Sequence, residues 1–173
     1  MEKLKIFNKI LVLSIAVNFC IYTSAKGYTT HSKKIKTQQV FFNGLEGEKI
    51  GQLFNSKIYI KDSSDVEGCF YAHRENINGL SYKFIDNTLV EIEFNSKIFI
   101  SPHGIYIGDS VRKLNKYSNK NRMVMKHPYG GGKDIIEFYW NGNLGVKYII
   151  SNGKIVSFSI GKKKELLYLE GCL

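Results

Sequence analysis

The chain lacks an apolar run long enough to cross a membrane. The stretch Ile10–Tyr22 is broken by Asn18 and falls well short of the about 20 residues that a spanning helix needs. Arginine is scarce too, confined to Arg74, Arg112 and Arg122, although Lys and Arg together outnumber acids 25 to 15 and give a formal charge of +10. Base reading and bidentate phosphate capture favour arginine's planar fork. Scattered lysines, with Lys162-Lys163-Lys164 as the one run of three, read as a solvated surface, and nucleic acid is not expected as a partner.

Histidine and cysteine are few as well. The four histidines are His31, His73, His103 and His127, and the chain contains no G-x-S-x-G, no H-E-x-x-H and no phosphate-cradling glycine loop opening a helix. Nucleophile-elbow, zinc-protease and P-loop chemistries are thereby excluded. Neither Cys69 nor Cys172 has a second cysteine or a histidine at zinc-finger spacing, and they do not form a C-x-x-C pair, so no metal and no cofactor is implied.

The N-terminus has the three-part layout of a secretory signal peptide. Lys3, Lys5 and Lys9 lead into the apolar stretch, and Thr23 and Ala25 stand at −3 and −1 of a cut after Ala25. Residues 1–25 are read as the signal peptide, residues 26–39 as a flexible polar leader, and residues 40–173 as one domain. Lipidation at Cys20 is disfavoured because Phe19 is too large for a lipobox. In an oxidising compartment the two remaining cysteines are expected to pair, Cys69 with Cys172. A cross-link over so long a loop removes chain entropy worth about 4–5 kcal/mol.

From Val40 onward the pattern is alternating and β-rich, as in K-I-Y-I-K, L-V-E-I-E-F, I-E-F-Y-W and I-V-S-F-S-I. Two stretches have helical spacing, Glu46 to Phe54 and Asp109 to Tyr117, the latter with Asp109 or Ser110 as N-cap. The class is α+β, a mainly antiparallel sheet with two short helices. Sliding the chain by 66 lays Tyr82–Phe94 over Tyr148–Ile160 and superposes the turns Asp86-Asn87 and Asn152-Gly153, two hairpin signals. A slide of 64 lays Gly44, Ile50 and Leu53 over Gly108, Leu114 and Tyr117. These matches predict a duplicated helix-then-meander unit with half-repeats 40–101 and 102–173.

The segment G-I-Y-I-G-D-S at Gly104–Ser110, the H-P-Y-G-G-G at His127–Gly132 and the closing Y-L-E-G-C resemble those of exported bacterial proteins of unknown function. More distantly, the repeated unit looks like the BamE-like lipoproteins of outer-membrane assembly and the β-lactamase inhibitory proteins. That resemblance implies binding to other proteins.

Two functional readings follow. One is a non-catalytic exported binding protein of the bacterial envelope, an inhibitor or assembly factor. It would recognise another envelope or extracellular protein through a tyrosine-bearing sheet surface edged by lysine, with Tyr139, Trp140, Tyr129 and Arg122 as the candidate binding residues; Phe138 and Trp140 share one face of their strand and Tyr139 takes the other. The other is a small secreted hydrolase in which His103 and His127, beside the Pro102 and Pro128 turns, meet near Asp109 as an acid–base site.

Overall fold

The computed structural model describes residues 36–117 and 121–172. The signal-peptide reading, the Cys20 reading, His31 and most of the expected leader lie outside these residues. The strands are β1 (Gln38–Gln39), β2 (Gly44–Leu45), β3 (Glu48–Lys49), β4 (Ile60–Val66), β5 (Cys69–Arg74), β6 (Ile77–Ile85), β7 (Thr88–Phe94), β8 (Phe99–Ile100), β9 (Arg122–Lys126), β10 (Ile135–Asn141), β11 (Leu144–Ser151) and β12 (Lys154–Lys162). A 3₁₀ helix at Val111–Tyr117 and α1 at Lys163–Leu167 complete the chain. This is the α+β class, mainly antiparallel with two short helices, that the alternating pattern predicts.

Eight strands form one sheet in the order β4-β5-β6-β7-β12-β11-β10-β9. Each half of the chain folds as a four-strand antiparallel meander, and the last strands of the two, β7 and β12, pair antiparallel at the centre. Asp86 and Asn87 (φ 49° and 57°) and Asn152 and Gly153 (φ 50° and 73°) take left-handed conformations at the two equivalent hairpins, as two-residue turns matched to strand twist require.

The segments leading into the meanders repeat as well. Gly51 N donates to Leu89 O at 2.8 Å, Leu89 N to Gln52 O at 2.9 Å and Phe54 N to Asn87 O at 2.7 Å. In the second half Gly108 N donates to Ile155 O at 2.7 Å, Ile155 N to Asp109 O at 2.9 Å and Val111 N to Gly153 O at 3.0 Å. Gly51 and Gly108 hold φ of 96° and 93°, a region costly for residues with a Cβ. The lead segments therefore superpose Gly51 on Gly108, a slide of 57 and not the expected 64.

Glu46 to Phe54 is not a helix, because Gly47 and Gly51 both have positive φ and β2 and β3 pair as a tight hairpin. The apolar spacing of Ile50, Leu53 and Phe54 mimics a helix, but tertiary bonds decide the backbone. Glu48, 3% exposed, accepts from Arg74 Nη1 at 2.6 Å and from Tyr82 OH at 2.8 Å. Three lysines crowd the start of α1, against the helix dipole, and no side chain caps it; it forms because Leu166 is fully buried against Ile136 and Phe138. The expected leader is ordered at its end, where Gln38 N donates to Ile98 O and Val40 N to Ile100 O, each at 2.8 Å.

The main core lies on one sheet face and spans the seam, where Phe94 and Phe158 stack with centroids 4.7 Å apart. Phe158→Ala is expected to cost about 3–5 kcal/mol in urea denaturation followed by circular dichroism. The described fold should still unfold in one step; two separate transitions would show that the halves are independent.

Candidate functional site

Strand alternation gives the sheet two unlike faces. Tyr82, Phe84, Ile92, Phe94, Tyr148 and Phe158 point into the main core. The intervening residues Tyr71, Ser81, Lys83, Glu91, Glu93, Lys147 and Ser159 point the other way and line a cleft of about 210 Å³. The pairings Tyr71↔Lys83↔Glu91 and Ser81↔Glu93↔Ser159↔Lys147 set these side chains in two cross-strand rows, the first ending at the seam and the second crossing it.

The chain's own C-terminal segment forms the roof. Tyr168, Leu169 and Gly171 line the cleft, and α1 seats Leu166 in a small apolar cluster with Ile136 and Phe138. Cys172 is bonded to Cys69 at the start of β5, the pairing expected from the sequence. Tyr129 OH donates to Glu170 at 3.0 Å, joining the roof to the β9–β10 loop. Gly171 lies against Tyr71 so closely that a Cβ there would come within 2.8 Å of the Tyr71 hydroxyl.

Charge inside the cleft is divided unevenly. Lys147 Nζ donates to Glu91 at 2.8 Å in a pair with both side chains largely buried. Burial lifts the Glu93 carboxyl above its ordinary range and the Glu91 charge adds to this, while Lys147 and an Asn95 hydrogen bond oppose it. Burial also raises the Tyr71 hydroxyl, reinforced by Glu91 and Glu93. Lys83 is 2% exposed, with its Nζ 5.3 Å from the Tyr168 ring centroid.

The structure does not bring the three proposed catalytic residues together. His103 sits on the core side, its ring stacked on Tyr117 at 4.1 Å and its Nδ1 3.0 Å from Tyr148 OH. His127 lies at the cleft on the opposite face, its Nδ1 accepting from Tyr129 N at 3.2 Å. Asp109 accepts from Tyr106 N at 3.0 Å and from Lys113 Nζ at 2.7 Å. Partial burial raises its carboxyl, but these bonds outweigh that and hold it below the ordinary range.

The expected binding residues are also divided. Tyr139 is 3% exposed and gives its hydroxyl to Glu137 at 2.7 Å within the core, because alternation turns it away from Phe138 and Trp140. Arg122 grips the same Glu137 through Nη2 at 2.8 Å and Nε at 3.2 Å. Trp140 stacks on Phe138 under Lys163, and Tyr129 stands 69% exposed at the cleft rim. The sequence reading missed Lys83, Glu91, Glu93 and Lys147, which look like the solvent-facing half of alternating strands until the tail folds over them.

Burial, helped by the Lys116 charge, lowers His103 to about 4 from an ordinary 6.5. A depressed pKa contributes stability that is present above pH 6.5 and lost as pH falls toward 4. His103→Asn should therefore lose less stability over that interval than the parent chain, read from urea midpoints at each pH. Equal losses in the two proteins would place the acid sensitivity elsewhere.

No family model matches the chain, and no curated protein matches it. Solved structures similar to it include an extracellular protein containing an SCP domain from Bacillus anthracis (12% identity, TM-score 0.44, 68% of this chain and 45% of that one). Others are a DUF4309 family protein from Bacillus subtilis (13%, 0.35, 64% and 68%) and a cysteine-rich secretory protein from Staphylococcus aureus (13%, 0.36, 70% and 42%). The chain thus spans less than half the length of the first and third of these proteins.

Proposed function

We propose that the chain is an exported, non-catalytic binding protein whose recognition site is the roofed cleft on the sheet face opposite the main core. The carrying observation is the cleft's composition. A sheet face covered by its own chain is ordinarily apolar, yet this one places Lys83, Glu91, Glu93 and Lys147 with Ser81 and Ser159 around open volume. Burying charges costs free energy that their mutual attraction seldom fully offsets. Such a cost is expected where a site is built for recognition. Export is supported by the signal-like N-terminus and by the disulfide, which suits an oxidising compartment. The separation of His103 from His127 weighs against the hydrolase reading. The BamE-like resemblance and an envelope-protein partner fit the exposed Tyr129 and Tyr168 at the rim, where a larger molecule carrying the recognised group can rest.

Equilibrium dialysis of the oxidised protein against the low-molecular-weight fraction of the growth medium tests this reading, with bound compounds identified by mass spectrometry. The wild type should retain a compound that a Cys69→Ala, Cys172→Ala variant releases, because the roof loses its covalent anchor. The variant should also lose about 2–5 kcal/mol of stability. If the wild type retains nothing, or both proteins retain the same compound equally, the cleft is not the site.

A further inference from the structure

Lys83 is the residue whose surroundings the fold leaves incomplete. Its backbone lies mid-strand in β6, paired with Tyr71 on one side and Glu91 on the other, and the whole residue is 2% exposed. No buried side-chain nitrogen or oxygen among the described residues lacks a hydrogen-bond partner, so the Lys83 Nζ, which makes no such bond, opens into the cleft, where water or an anion can reach it. Glu91 is its cross-strand neighbour, yet the Glu91 carboxylate leans across the seam to Lys147. Among the described residues, Lys83 Nζ has no carboxylate and no hydrogen-bond acceptor, only the Tyr168 ring. The Tyr71 hydroxyl beside it has no hydrogen-bond partner among the described residues either, and both line the same cleft.

Other buried charges in the fold are treated differently. Glu48 holds Arg74 and Tyr82, and Glu137 holds Arg122 and Tyr139. Against that pattern of full pairing, an enclosed cation facing open volume marks a place reserved for something else.

Resting on the cleft as the recognition site, we infer that its ligand is a small organic carboxylate of about amino-acid size, its carboxylate seated on Lys83 Nζ and Tyr71 OH. The ligand's other end lies toward Glu93, so a hydroxyl or amino group there finds an acceptor. Size is set by the cleft volume of about 210 Å³, somewhat above the roughly 150 Å³ of a cavity that accommodates benzene.

The test uses the oxidised protein and its Lys83→Met variant. Amide chemical shifts and melting temperature are recorded with lactate, glycine, acetate, inorganic phosphate, glycerol and glucose at millimolar concentration. Lactate or glycine should move the amides of Ser81, Lys83 and Glu93 and raise the wild-type Tm by about 3 °C near saturation. Lys83→Met should bind them at least about tenfold more weakly. Without ligand the variant should melt no lower than the wild type, since it removes a charge that makes no hydrogen bond within the protein from a largely enclosed side chain.

A variant that melts clearly lower without ligand shows that Lys83 has a structural partner and overturns the inference. So does carboxylate binding that Lys83→Met leaves unchanged. If glycerol or glucose moves the cleft amides and no carboxylate does, the ligand class is wrong while the cleft stands. Phosphate acting alone has the same meaning. If no probe of any class moves those amides, the cleft reading falls together with the inference.

Discussion

The antiparallel pairing of β7 with β12 is the constraint on which both faces of the molecule depend. Four residues of each strand are in register, Phe94 opposite Phe158 and Glu91 opposite Gly161, and this pairing joins two meanders into one sheet. A slip of one residue would exchange the faces of one strand, placing Glu91 and Glu93 among the core rings and Ile92 and Phe94 under the tail. The apolar core and the charged cleft are therefore two outcomes of a single registration. The Phe94–Phe158 stack enforces it from below, and the Glu91–Lys147 pair reaches across it from above.

The two halves also solve the problem of buried charge in the same way. In each, a glutamate on the core side takes an arginine and a tyrosine hydroxyl: Glu48 with Arg74 and Tyr82, Glu137 with Arg122 and Tyr139. Such satisfied groups contribute little net stability but fix the geometry of their neighbours. Arginine's rarity in this chain then has a structural meaning, since two of its three copies, Arg74 and Arg122, serve these clamps. The cleft departs from the rule by using lysines, and one of them is left facing open space.

Much of this was legible in the residues, and the failures have definable causes. Asp86-Asn87 and Asn152-Gly153 announced the hairpins because few residues tolerate two successive left-handed conformations. The disulfide followed from compartment and cysteine number. Val111, Leu114 and Tyr117 marked a helical stretch correctly, although it winds as 3₁₀. Glu46 to Phe54 misled because a helical apolar spacing coincided with glycines that forbid a helix; the shared G-x-x-x-G of Gly47–Gly51 and Gly104–Gly108 was the better signal. The cleft was illegible for another reason. Alternation shows that Lys83, Glu91 and Glu93 share a face, but only tertiary structure shows that residues after Lys162 return to cover it.

The disulfide joins a strand of the first meander to the chain end beyond the second, enclosing a sequence separation of 103 residues. In mechanical terms it is a load path. A pull applied at the C-terminus passes through sulfur into β5 and does not peel α1 from its apolar seat. The sheet segments between the two cysteines cannot be drawn out to full length while that bond survives, so tension from this end enters the sheet beside Tyr71 and Gly171 and is borne at the edge of the cleft.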